Sequence, residues 1–308
     1  MEEFFTKKLN VFIISIICTL LWGSAFPVVK ISYEKLQIAP EDIYSKIYFA
    51  GLRFFIASML VFLVAKLILR MDIRIKKKDI KPIVTLGMLQ TSLQYFFFYI
   101  GVANTSGIKS AILQGSGTFF TVLAAHFVYS DDRINMRKIL SLVLGFGGIL
   151  AINMGKGFDS SFTFMGEGFL LLSALVSTIA TIYVKSISQD IDPVILTGSQ
   201  MFAGSILLLI VGKVGMHGGG LNFNSTTIGL LVYAAFISSC AFLLWYTLLK
   251  YNKAGEISIY RLFIPVFGSM LSVAFIEGET FTIKLFIGLL MVVAGMTVLN
   301  AGNGHKNM

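Results

Sequence analysis

Charge is scarce in this 308-residue chain. Only 13% of residues are charged, against roughly 25% in an ordinary soluble protein, and that deficit excludes a surface that faces only water. Cysteine is nearly absent: Cys18 and Cys240 both lie inside apolar runs, which excludes a disulfide framework and any cysteine-based metal cluster. There is no Gly-rich phosphate loop ending in Gly-Lys-Ser/Thr, so ATP does not drive the protein directly. There is no His-Glu-x-x-His and no pair of aspartates within an apolar run, so no catalytic constellation presents itself. The chain reads as a non-enzyme without cofactor or metal. Finally, no acidic residue stands near the middle of an apolar run; Glu167, Glu256, Glu277 and Glu279 are all at the ends. Proton-driven carriers commonly use intramembrane carboxylates, and here none is on offer.

What fills the chain is apolar sequence, 56% of all residues, with a mean hydropathy of +0.82. Runs of about 20 apolar residues suffice to cross a bilayer. The sequence predicts ten, at residues 11–32, 47–69, 80–101, 105–128, 137–154, 164–187, 193–213, 226–249, 255–276 and 281–300, here spans 1 to 10. The fifth, around Gly145, Phe146, Gly147 and Gly148, has the weakest signal. Span 1 is too long for a signal-peptide core and is read as a retained helix.

The net charge of +9 does not indicate nucleic acid, because the basic residues sit in short loops between apolar runs, where they set orientation. With the N-terminus inside, 15 of the 25 Lys and Arg residues fall in inner loops and tails, among them Lys7, Lys8, Arg70, Lys76 to Lys78, Arg133, Lys138, Lys253 and Lys306. Six fall outside (Lys35, Lys46, Lys109, Lys156, Lys213, Lys284), and four lie within spans. Both termini are therefore expected in the cytoplasm of a multi-pass protein of the cytoplasmic (inner) membrane, as an even span count requires.

The second half repeats the first. Gly51, Phe55, Ser58, Val64 and Lys66 recur as Gly198, Phe202, Ser205, Val211 and Lys213, always 147 residues on. Gly107 and Ser110 recur 148 residues on as Gly255 and Ser258, and Gly148 and Asn153 recur as Gly295 and Asn300. Five spans per copy is an odd number, so the second copy must run upside down. Inverted repeats are a recurrent architecture of secondary transporters. The expected fold class is an all-α membrane protein whose ten transmembrane helices form two inverted five-helix repeats, residues 11–154 and 164–300.

Leu20, Leu21, Trp22, Gly23, Ser24, Ala25 and Phe26, followed by Val28, Val29, Lys30 and Ile31, resemble the first-helix signature of EamA-type transporters in the drug/metabolite transporter superfamily. Gly51, Leu52, Arg53, Phe54, Phe55, Ile56 and Ala57 resemble the second-helix signature, and Glu277, Gly278 and Glu279 with Gly288, Ala294 and Gly295 resemble its closing segment. The resemblance covers the whole chain. It implies alternating access, with spans 1–4 and 6–9 around a central cavity and spans 5 and 10 outside, and substrates such as amino acids, sugars and nucleotide sugars, often exported. Two positions depart from the family pattern: Tyr129, Ser130, Asp131 and Asp132 stand where Gly-Glu is usual, and Arg261 stands where a small or apolar residue is usual.

Polar residues at helical spacing give the candidate cavity. Gln90 and Gln94 are one turn apart on span 3, and Gly107, Ser110, Gln114, Gly117 and Thr121 share a face of span 4. Ser258, Arg261, Pro265, Gly268 and Ser272 do the same on span 9. Small residues in such stripes also let membrane helices approach closely, whereas amides need partners in an apolar setting. A charge as deep as Arg261 usually faces a cavity or a partner; the structural alternatives are an ion pair with Glu256 or a snorkel to the cytoplasmic edge. Pro265 removes a backbone bond mid-helix. Arg53, a signature residue, is read as structural, and His126 as a packed or interfacial histidine. Trp22, Tyr95, Tyr99 and Tyr260 complete the candidate substrate-binding set with Gln90, Gln94, Gln114, Arg261 and Pro265. The function expected is a secondary transporter for a small polar metabolite, an amino acid or related anionic or zwitterionic compound, by outward alternating access. A flippase for a lipid-linked carrier and an intramembrane enzyme are the alternatives. Its partners are a small-molecule substrate and the lipid bilayer, not nucleic acid; oligomeric state stays open and a monomer is sufficient.

Overall fold

A computed structural model describes residues 2–105, 107–153, 162–277 and 280–301. Lys156, Glu279, Lys306 and the chain end at position 308 lie outside the described residues.

Ten helical segments are long and apolar enough to cross a membrane: Lys8–Lys35, Ile43–Ile68, Lys77–Ala103, Lys109–Val128, Met136–Asn153, Phe164–Ile187, Pro193–Gly215, Ser225–Tyr251, Ala254–Phe275 and Ile283–Asn300. They coincide with spans 1 to 10 within four residues at every boundary. The ends are set by local chemistry. Asp42, Asp192 and Thr282 cap spans 2, 7 and 10 by accepting from backbone N–H groups, and Asn224 with Thr227 forms a reciprocal capping box on span 8, satisfying donors that a helix start leaves open. A short helix the sequence reading missed, Glu2–Thr6, precedes span 1; Asn252 donates to the carbonyl of Phe5 and holds it against the end of span 8.

Packing is by exchange between the halves. Span 2 lies along span 7, where a side chain on Gly51 would meet Leu209 and one on Gly198 would meet Phe62. Span 5 lies along span 10, with Gly148 against the Gly288 carbonyl and Ser141 donating to the Gly295 carbonyl at 2.7 Å. Span 1 packs on span 9 and span 4 on span 6. Span 3 meets span 7 backbone to backbone: a Cβ on Gly204 would lie 2.4 Å from the Gly87 carbonyl oxygen, so only glycine fits.

Four spans depart from regular α-helix. Span 2 ends in a π-helical turn at Val64–Ile68, span 3 carries one at Gly87–Leu93 and span 6 opens on one at Phe164–Gly168. Such wide turns often mark functional positions. Span 9 runs as α-helix Ala254–Ile259, a 3-10 turn Tyr260–Leu262, then α-helix Phe263–Phe275. The regular stripe Ser258–Arg261–Pro265 expected from the sequence is therefore broken: Ser258 is fully buried, while Arg261 and Pro265 are half-buried. The break falls in the turn before Pro265, whose missing N–H leaves the Arg261 carbonyl without its usual donor.

Candidate functional site

Arg261 stands in the broken turn of span 9. Both of its terminal nitrogens reach the Ser177 hydroxyl of span 6 at 3.5 Å, the outer limit of a hydrogen bond. Glu256 is not its partner; among the described residues Arg261 forms no ion pair. Ser177 was missed in the sequence because it lies 84 positions away. A signal existed: Ser173, Ser177 and Thr181 are spaced at four residues on span 6, and all three are buried.

Arg53 comes from span 2 of the other half. It is 6% exposed, with its guanidinium 4.4 Å from the Phe54 ring centroid and 5.3 Å from that of Tyr95. Contacts of this kind attract a cation to a ring face, but they do not neutralise it. The Arg53 Nε has no hydrogen-bond partner, and among the described residues Arg53 too forms no ion pair. Tyr95 is within electrostatic range of both guanidiniums. Tyr99 and Tyr33 stand beside Arg53, and Tyr246 of span 8 beside Arg261. Aromatic rings complete the surroundings: Trp22 meets Phe242 at 5.3 Å and Trp245 at 5.2 Å, both edge-to-face, and Phe54 meets Tyr95 at 4.7 Å.

The candidates thus separate into groups. Tyr95, Tyr99 and Arg261 converge with Arg53. Trp22 belongs to the ring cluster of spans 1 and 8. Gln90 donates its amide to Gln94, and the Gln94 carbonyl accepts from Ser173 at 2.9 Å, so this pair lines the seam between spans 3 and 6. Gln114 is exposed on span 4. Tyr260 points away from the arginines and donates to Asn300 at 3.0 Å, in a small cavity of about 130 Å³ shared with Lys8 and Glu256. Sequence reasoning also missed Gln200, fully buried, whose Oε1 accepts from Thr91 at 2.8 Å while its Nε2 has no partner. It occupies the position in span 7 that Arg53 occupies in span 2, 147 residues earlier.

The two ends of the bundle are tied differently. At the end holding the N-terminal segment, Asp132 and Lys138, each 1% exposed, form an ion pair. The other Asp132 oxygen accepts from the Gly255 N–H of span 9 at 2.7 Å. Lys138 also donates to the Arg133 carbonyl at 3.1 Å. At the opposite end Glu167 of span 6 pairs with Lys109 of span 4 at 2.9 Å and accepts from Thr105 and Thr163. His126 packs as expected, its Nδ1 accepting from the Ile134 N–H at 3.1 Å.

Comparison with known proteins identifies the family to which this bundle of ten spans belongs. The EamA-like transporter family matches residues 9–154 and again 164–301. The chain belongs to this family. An uncharacterized transporter of Archaeoglobus fulgidus is 28% identical over 281 residues, covering 90% of this chain and 94% of that protein. The uncharacterized transporter YvbV of Bacillus subtilis is 26% identical, covering 91% and 88%. A chloroplastic WAT1-related protein of Arabidopsis thaliana is 25% identical over 219 residues. A solved crystal structure with 14% identity superposes with a TM-score of 0.78, covering 96% of this chain and 98% of its own, which shows the fold. Like those relatives, this EamA-type chain is a multi-pass membrane protein.

Proposed function

We propose that this protein is a secondary transporter that carries a small polar metabolite, an amino acid or related anionic or zwitterionic compound, outward across the cytoplasmic membrane by alternating access between two inverted repeats, residues 11–154 and 164–300. The observation that carries this reading is Arg261: a guanidinium half-buried in a broken span, held by one serine at the limit of hydrogen bonding, with no carboxylate paired to it among the described residues. An unpaired charge at such depth is costly, and a substrate carboxylate or phosphate supplies the missing partner with two parallel hydrogen bonds to the guanidinium fork. Membership of a family whose relatives carry transporter names supports the reading.

Purified protein in proteoliposomes, screened for metabolite uptake with and without a pH gradient, tests it. Arg261→Ala abolishes transport and Arg261→Lys weakens it, with membrane abundance unchanged. Normal transport by Arg261→Ala, or its disappearance from the membrane, removes the support. Reporter fusions at position 308 that give a periplasmic signal overturn the orientation.

One observation favours a flippase as the second reading. A groove of about 450 Å³ between spans 4 and 6 is lined by Ala124, Val128, Tyr129, Ile179 and Tyr183, an apolar surface suited to an acyl or prenyl chain. Neither arginine lines it, and the metabolite reading stands first.

A further inference from the structure

We propose that Arg53 and Arg261 form a two-point receptor for a small organic substrate that carries two anionic groups and no ammonium group. The inference narrows the transporter reading above and rests on it. Three observations carry it.

First, there are two uncompensated guanidiniums, not one, and they come from different halves of the chain. Arg53 is covered by the Phe54 and Tyr95 rings and keeps an Nε without a partner. Arg261 has only the long contacts to Ser177. Arg53 lies 5.3 Å from the Tyr95 ring, and Arg261 reaches Ser177, one turn on from the Ser173 that donates to the carbonyl of Gln94, the residue before Tyr95, so a ligand bound beside that ring lies between the two forks. Two like charges in a weakly polar interior repel each other, and a ligand with two negative groups relieves that repulsion together with both desolvation penalties; a monoanion relieves half.

Second, among the described residues no deeply buried acidic side chain is left unengaged for an ammonium group. The deeply buried acids among the described residues are Asp132 and Glu167. They sit at opposite ends of the bundle, already engaged by Lys138 and Lys109. An amino acid would bring a positive charge toward two guanidiniums with no unengaged buried carboxylate among the described residues to receive it.

Third, the two halves differ at these positions. Where the first half has Arg53 the second has Gln200, and where the second has Arg261 the first has Leu113, 148 residues earlier. A neutral residue therefore fills each of these places in the other half without breaking the helix, so the shared fold does not require either arginine.

The test on purified protein in proteoliposomes compares three compounds with two anionic groups with three amino acids: 2-oxoglutarate against glutamate, which shares its skeleton and differs by the ammonium group, phthalate against phenylalanine, and phosphoglycerate against serine. Both uptake and thermal stabilisation by each probe are read. The expected result is stabilisation and uptake by at least one dianion, with its ammonium-bearing counterpart weaker by roughly ten-fold or more, since every 1.4 kcal/mol is a factor of ten. Arg53→Gln, which copies the second half, and Arg261→Lys each lower the dianion's uptake while the unliganded melting temperature stays within about two degrees of the parent. Uptake of the amino acids with no dianion moved or bound overturns this proposal and leaves the transporter reading standing. Dianion uptake unchanged in both variants overturns the receptor. Failure of every probe to bind or move overturns both readings.

Discussion

Spans 4 and 9 occupy repeat-equivalent places, yet the two ends of their contact differ. At the end nearest the N-terminal segment the pair is shut: Thr121, Val122 and Ala125 of span 4 are buried, as are Ile257, Ile259, Tyr260 and Leu262 of span 9. Asp132 clasps the first turn of span 9 through the Gly255 N–H. At the opposite end the equivalent residues are looser. Ser269, Met270 and Val273 are half-buried, as are Ile112 and Leu113, and Gln114 is exposed where its counterpart Leu262 is 1% exposed. The pair is thus closed at the Asp132 end and looser at the other, which is the asymmetry that the proposed alternating access requires of a joint whose one end opens as the other closes.

The largest expected effect comes from breaking that closed end. Asp132→Ala leaves the Lys138 ammonium buried without its partner, and the cost is about 3–5 kcal/mol; thermal unfolding in detergent measures it. A double variant, Asp132→Leu with Lys138→Met, recovers most of the loss, since it removes both charges together. If Asp132→Ala melts with the parent, the clasp holds nothing.

The looser end gives a smaller loss. Glu167→Gln keeps the acceptor for Thr163 but removes the charge facing Lys109, and about 1–3 kcal/mol is expected. A loss exceeding that of Asp132→Ala would reverse the ranking of the two ends.

A labelling experiment sharpens the contrast without touching either ion pair. In a Cys240→Ser background, with Cys18 fully buried, Gln114→Cys reacts with a water-soluble maleimide faster than Leu262→Cys by roughly ten-fold or more, because reactivity follows access to the thiolate. Equal rates would mean the asymmetry is absent in the membrane.

The smallest effect is a pH dependence at the closed end. Tyr129 donates to the Ile182 carbonyl at 3.0 Å, with Lys185 near its ring. Burial first, then Asp132 and Asp131, raise its phenol above the usual range. A raised folded-state value favours the neutral form. Its contribution is therefore complete below about pH 10, the unfolded value, and is lost as pH rises through the folded one. Tyr129→Phe should show a shallower alkaline decline in melting temperature than the parent; an identical decline refutes the assignment.

The ten spans were legible because each is a local property, twenty apolar residues with caps at the ends, and the boundaries agree to within four residues. At Gly51 and Gly198, related by the 147-residue offset, both halves hold glycine where helices approach closely. The partners of the charges were not legible. Ser177 lies on another span, and its hydroxyl looked like one of many packing residues. Arg53 was assigned to structure from its place in a signature, whereas its buried, unpartnered Nε is visible only in three dimensions. The Asp131–Asp132 segment stood out as a departure, but nothing local says that Asp132 reaches 123 residues onward to Gly255. The 3-10 turn that breaks the span 9 stripe was likewise hidden, because helical spacing assumes the regularity that Pro265 and its neighbours remove.

If the proposed dianion receptor is right, two guanidiniums that form no ion pair among the described residues also bear on energetics across the bilayer. When a doubly negative substrate occupies them, the loaded protein is nearly neutral in its middle and reorients almost independently of voltage. Once the cargo leaves, two positive charges remain, and an inside-negative membrane pulls them back toward the cytoplasm with up to about 2.3 kcal/mol per charge per 100 mV for the part of the field they cross. The resting potential would then power the empty return stroke, and net anion efflux would be electrically driven without any carboxylate to carry a proton.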